Sequence, residues 1–137
     1  MNKLEQVEEL KNNHQLFNEK FNALDENYIF KSREDTYEFI KQHPGLLIII
    51  DEYTPYLNEH FPEGIFELEV DIDPEIITWK TLIINVKVDK ETYENGCYEY
   101  LTYLRRHFRP LRRKLNLMGE IMVLSMVLRW LIPLKII

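Results

Sequence analysis

Cysteine is all but absent from these 137 residues. Cys97 stands alone, which excludes an intramolecular disulfide and any cysteine-built zinc cage. Glycine is scarce too. Gly45, Gly64, Gly96 and Gly119 are scattered singly, so no loop can cradle a phosphate, and the Gly-x-x-x-x-Gly-Lys-[Ser/Thr] pattern is missing. That absence removes the one nucleotide-binding hint, the apolar run 46–50 leading into Asp51 and Glu52, an aspartate–glutamate pair that in an ATPase would hold Mg²⁺ and activate water. The four histidines, His14, His43, His60 and His107, fall in different segments and form no His-Glu-x-x-His pair. No Gly-x-Ser-x-Gly elbow exists. The expectation is a chain with no catalytic, cofactor-binding or metal-binding residue to name. Met1 is followed by Asn, Lys and Glu rather than by an apolar run, so no signal peptide is expected and the cytoplasm is the expected compartment.

Each sign of charge is missing from one part of the chain. The net charge is −6, yet residues 51–75 contain nine acids and no Lys or Arg. Residues 105–114 contain no acid, and Arg105, Arg106, Arg109, Arg112, Arg113 and Lys114 crowd there. Such runs read as solvated faces of opposite sign, as faces that meet within the fold, or as a patch that docks a partner. Tyr98, Tyr100, Tyr103 and Phe108 interleave with the cations, which supplies rings for stacking beside groups for phosphate contact. A nucleic-acid-binding module through 98–114 is therefore one alternative, with the acidic balance of the whole chain against it.

What is present is a folded chain's composition, 45% hydrophobic and 12% aromatic. A chain this long fits one domain and buries roughly two-thirds of its unfolded surface. Its centre is Ile65–Ile72, where Phe66, Leu68, Val70 and Ile72 alternate with Glu67, Glu69 and Asp71. A period of two means one buried face and one wet face. Residues 82–89 repeat it, with Leu82, Ile84, Val86 and Val88 opposed to Asn85, Lys87 and Asp89, and Asp73-Pro74 breaks the first run. The pattern predicts an antiparallel hairpin whose carboxylates coat the solvent face and whose apolar face needs a helical cover.

Val7, Leu10, His14, Phe17, Phe21, Leu24 and Tyr28 recur at three- and four-residue spacings, which predicts one long amphipathic helix over residues 1–31. The stripe suits either the chain's own core or a seam for a second copy, with Val7, Leu10, Phe17, Phe21 and Leu24 as the association residues. His14 within it reads as a hydrogen-bonded or partly exposed core side chain. Residues 32–109 predict a helix–hairpin–helix core. Ser32-Arg33-Glu34-Asp35 forms a capping box for a helix running to about Gln42, which His43-Pro44-Gly45 stops. Leu47, Ile50, Thr54, Leu57 and Phe61 keep helical spacing, although a buried strand over 46–50 satisfies the same residues. Asp89 is a plausible N-cap for a helix that buries Tyr93, Cys97, Leu101, Leu104 and Phe108, with Cys97 a packed, inert thiol.

Residues 110–137 join the basic run to an apolar C-terminal element. From 121 to 137 only Ser125, Arg129, Pro133 and Lys135 interrupt it. It reads as a buried helix or strand, then as an oligomer interface, then as a membrane tether; against the tether, a span needs ~20 apolar residues and a central Arg costs ~2.5–3.5 kcal/mol.

One catalytic pattern remains. Restriction-endonuclease-like cores carry an acid on one strand and Glu-x-Lys or Asp-x-Lys on the next, holding Mg²⁺. Asp71 or Asp73 followed by Asn85-Val86-Lys87 mimics this, but asparagine stands where the second acid belongs, so at most a degenerate nuclease is implied.

The segments Phe39-Ile40-Lys41-Gln42-His43-Pro44-Gly45-Leu46, Phe61-Pro62-Glu63-Gly64 leading into Phe66-Glu67-Leu68-Glu69-Val70, Asp73-Pro74-Glu75 and Leu82-Ile83-Ile84-Asn85-Val86-Lys87 resemble an uncharacterised group of small bacterial and archaeal α+β proteins. The resemblance covers about half of the chain. It implies a helix over 46–61 and a helix-capped hairpin, and brings no reaction, ligand or catalytic residue. The fold expected is α+β, with N-terminal helices, a central hairpin or small sheet under a helix, and an apolar C-terminal element. The function expected is non-catalytic association with itself or another protein, with no cofactor.

Overall fold

The computed structural model describes residues 1–72, 74, 75 and 80–117, together with the backbone of residues 123–130. The fold is α+β, with N-terminal helices preceding a small mixed sheet.

The residues expected to form one long N-terminal helix form two. Helix α1 (Lys3–Asn12) stops at Asn13, whose backbone is extended (φ −130°, ψ 92°), and α2 (His14–Ala23) starts afresh there. Asn13 does this with its own side chain, because its Oδ1 accepts from the Leu16 N–H at 3.0 Å and so caps the second helix. Asparagine competes for backbone groups in a helix interior and is favoured at an N-cap, so the Asn12-Asn13 pair divides the run. A 3-10 turn (Leu24–Glu26) then ends the helical stretch, and Ile29–Phe30 form a short strand, β1, also inside the expected helix.

Helix α3 (Arg33–Gln42) begins as expected at Ser32, whose Oγ accepts from the Asp35 N–H. Residues 46–50 resolve as helix, the opening of α4 (Gly45–His60), not as a strand. Strand β2 (Ile65–Ile72) and strand β3 (Lys80–Val88) pair antiparallel, with Phe66 opposite Val86, Leu68 opposite Ile84 and Val70 opposite Leu82. Asp89 caps the next helical stretch by accepting from the Thr92 N–H at 2.8 Å, opening the single turn α5 (Lys90–Thr92). A wider turn over Tyr93–Cys97 follows, in which Gly96 takes φ +82°, a conformation that costs most residues about 1 kcal/mol or more and glycine little. Helices α6 (Tyr98–His107) and α7 (Arg109–Lys114) continue, with Pro110 at the start of α7, where a missing N–H is harmless.

Strand β4 (Val123–Trp130) lies parallel to β3, so residues 123–130 of the apolar C-terminal element are strand. The rest of that element, and Asp73, lie outside the described residues. The sheet order is β1-β2-β3-β4, with β1 parallel to β2. Its apolar face carries Phe66, Leu68, Leu82, Ile84, Val86 and Val88, all buried, and α4 contributes Leu46, Ile49, Ile50, Tyr53 and Leu57 to the same core.

Candidate binding surface

Helix α6 turns its stripe inward. Leu101, Leu104, Cys97 before it and Phe108 after it are buried, whereas Tyr93 remains exposed. Burial pushes the Cys97 thiol up to about 11, with Glu99 adding to the effect, so the thiol is neutral and unreactive at physiological pH. With that stripe inward, the other side of α6 and α7 faces solvent. It carries Arg105, Arg106, Arg109, Arg113 and Lys114, all exposed, with Tyr98 71% and Tyr103 51% accessible.

Of the expected patch, Arg112 does not belong to it. It lies one turn after Phe108, on the inward stripe, and is buried; its Nη2 donates to the Arg105 carbonyl at 3.0 Å. Burial lowers its pKa, opposed by the neighbouring Tyr53. The spacing Leu104–Phe108–Arg112–Leu115 is the signal that separates this arginine from its neighbours, because three- and four-residue steps keep to one helix face. Tyr53 is fully buried beside it. Burial raises the phenol's pKa, partly offset by Arg112 and Arg105, and its hydroxyl finds no hydrogen-bond partner among the described residues. Removing an unsatisfied buried hydroxyl removes a desolvation cost, so Tyr53→Phe is expected to stabilise the fold by about 1 kcal/mol, read as a higher urea midpoint at unchanged slope. A lower midpoint would show that the hydroxyl is engaged.

One part of this surface is invisible to sequence reading. The rings of His60, at the end of α4, and Tyr100 stack face to face at 3.6 Å and 4°. Tyr100 leads to Tyr103 (6.0 Å), Tyr103 to His107 (5.6 Å), and His107 to Tyr56 of α4 (5.7 Å). The Tyr100 hydroxyl donates to the Tyr56 carbonyl, and burial, then Glu59, raises its pKa. A half-exposed layer of rings thus bridges α4 and α6 beside the guanidinium groups. Its members lie far apart in the chain, so no local pattern announces it.

The expected association stripe goes elsewhere. Val7, Leu10, Phe17, Phe21 and Leu24 are all buried inside this one chain. Phe21 is ringed by Phe17 (6.4 Å), Phe30 (5.4 Å) and Tyr37 (5.0 Å, edge-on), with the Arg33 guanidinium 5.1 Å from its centre. The stripe is core because breaking the helix at Asn13 lets both halves lay their apolar faces on the same interior.

The carboxylates expected to coat the sheet's wet face are also placed differently. Asp71 is exposed, but Glu69 is buried and Glu67 nearly so. The Asn85 side chain, with no exposure at all, donates from Nδ2 to Glu67 Oε1 and to Glu69 Oε1, both at 2.9 Å. Lys31 neutralises Glu69 at 2.7 Å and Lys87 neutralises Glu67 at 3.4 Å. Cation, acid, amide, acid and cation therefore alternate across three strands' worth of sheet, joined by charge-assisted bonds. The asparagine that broke the nuclease pattern has a positive role: its amide group joins Glu67 to Glu69. Among the described residues no group of three or more His, Cys, Asp or Glu side chains is placed to hold a metal ion.

A cleft of about 580 Å³ opens between α1, α2, the 3-10 turn and α4, with Leu10, Leu24 and Ile48 among its walls and Lys20, Glu26 and Asp51 at hand. At its floor the Tyr28 hydroxyl lies 2.8 Å from Thr54 Oγ1, which itself donates to the Ile50 carbonyl at 2.7 Å. Tyr28 must therefore donate to Thr54. Burial pushes this phenol up to about 12, so it stays protonated at physiological pH.

Among the described residues no helix is long and apolar enough to cross a membrane. No family model, curated protein or solved structure matches the chain.

Proposed function

We propose that the chain is a non-catalytic binding protein that associates with another protein, and that the face of α6 and α7 receives an acidic surface of that partner. The supporting observation is the exposure, along the solvent side of α6 and α7, of Arg105, Arg106, Arg109, Arg113 and Lys114 together with Tyr98 and Tyr103. Tyrosine and arginine are the side chains that most often dominate interface energies, and a single-sign patch steers an oppositely charged partner toward it. The buried N-terminal stripe gives this reading no support, so the patch alone carries it.

A photo-crosslinking amino acid at Tyr103, with a control at the exposed Glu19 of α2, tests the reading in cells. The expected result is a discrete protein adduct specific to position 103 that weakens at least about tenfold in the Arg105→Glu, Arg106→Glu, Arg109→Glu triple variant. Adducts identical at both positions would end it. The ring layer of His60, Tyr100, Tyr103 and His107 favours a second reading, single-stranded nucleic acid stacked on those rings, and a nuclease-sensitive adduct with a steep salt dependence is its signature.

A further inference from the structure

Away from that surface, where α2 meets α3, a small recess of about 140 Å³ is lined by Leu10, Lys11, His14, Phe17, Lys41 and Pro44. Its polar wall is unusual in what it lacks. Lys41 Nζ lies 2.8 Å from His14 Nδ1. An ammonium has no lone pair, so it can only donate, and Nδ1 must accept. The other ring nitrogen, Nε2, lies 3.1 Å from the Asn18 amide nitrogen, a second donor, since Asn18 Oδ1 already accepts from the Tyr37 hydroxyl at 2.6 Å. Both ring nitrogens thus face donors. A neutral imidazole offers one acceptor and a protonated one none, so donors outnumber acceptors around His14 in every protonation state.

Lys41 also donates to the Tyr37 hydroxyl at 3.3 Å, and its charge sits over the Phe17 and Tyr37 rings. Lys11, from α1, completes the cationic rim and is paired with the exposed Glu8 at 3.3 Å. His43, just before Pro44, turns its ring against Phe39 instead of into the recess. Among the described residues, the titratable groups facing His14 are therefore Lys41 and Tyr37 from α3 and Lys11 from α1, and no acid lines the recess.

We propose that this recess binds a tetrahedral oxyanion of the phosphate type, held by Lys41, His14 and Lys11, and that binding is coupled to protonation of His14. The anion supplies the missing acceptors. Its oxygens take the surplus donors of Lys41 and the ring, each as a charge-assisted bond. Without an anion, a protonated His14 would stand 2.8 Å from a second cation; with one, the two cations share a counter-charge, so proton and anion favour one another's binding.

Sulfate is the cleanest probe, because its own charge does not change across the histidine range. Backbone amide shifts of residues 13–18, followed by NMR as sulfate is added, are expected to saturate in the millimolar range. The affinity should rise as pH falls, since the proton and the anion favour one another's binding. Lys41 is exposed, so Lys41→Gln should fold normally and abolish saturation, whereas His14→Gln should leave weak binding that no longer depends on pH. The absence of saturation up to about 50 mM sulfate, or curves unaltered by both substitutions, would overturn the proposal. Displacement by inorganic phosphate alone identifies a free anion as the ligand; displacement by phenyl phosphate as well identifies a phosphate monoester.

Discussion

Asn85→Asp is expected to destabilise the protein by about 3–5 kcal/mol near pH 7, the range for an uncompensated buried charge. The substitution is nearly isosteric, so packing is unchanged. What changes is that two donated hydrogen bonds become close contacts between carboxylates, with Glu67 and Glu69 each 2.9 Å from the atom that is replaced. Lys31 and Lys87 are already committed to those two acids. Like charges and burial both raise the new acid's folded pKa above its unfolded value, so the folded state binds the extra proton more tightly. The penalty is then full at neutral pH and fades as pH falls through the carboxylate range, the reverse of ordinary acid denaturation. Urea titrations at several pH values measure it. A variant as stable as the parent, or one that is rescued by Mn²⁺, would instead favour a hairpin built to hold a cation, because an added acid improves a hard-metal site.

Phe21→Ala is expected to cost about 3–5 kcal/mol through the cavity it leaves. Its ring is almost fully buried and touches Phe17, Phe30 and Tyr37, which belong to three different elements and cannot all close in on the gap. The same measurement separates the two meanings of the N-terminal stripe. If the stripe is interior, the urea midpoint falls and does not depend on protein concentration. An interface residue would give a midpoint that shifts with concentration, since association would then contribute to stability.

Local chemistry made much of the fold legible. Ser32 and Asp89 cap the helices they were expected to cap, and the alternation over Ile65–Ile72 gives both the hairpin and its buried face. Where reading failed, the deciding information was not local. A heptad-like stripe cannot show that Asn13 prefers to cap rather than continue, because the apolar spacing survives across the break. Alternation tells which way Glu67 and Glu69 point but not what meets them there, and the partner amide lies on the next strand. Arg112 was legible in principle from its four-residue step after Phe108, but a run of six basic residues hides one that faces inward. The stack of His60 on Tyr100 joins residues from separate helices and leaves no trace in either segment.

The arrangement of the four strands also bears on how the chain assembles. The inner pair is joined by a short connection, residues 73–79, whereas each outer strand reaches its neighbour only across a far longer excursion, residues 31–64 on one side and 89–122 on the other. The entropy lost in closing a loop grows with its length, and non-local pairings are slow to form. The sheet should therefore nucleate at its middle and widen outward, with β1 and β4 arriving last and opening first.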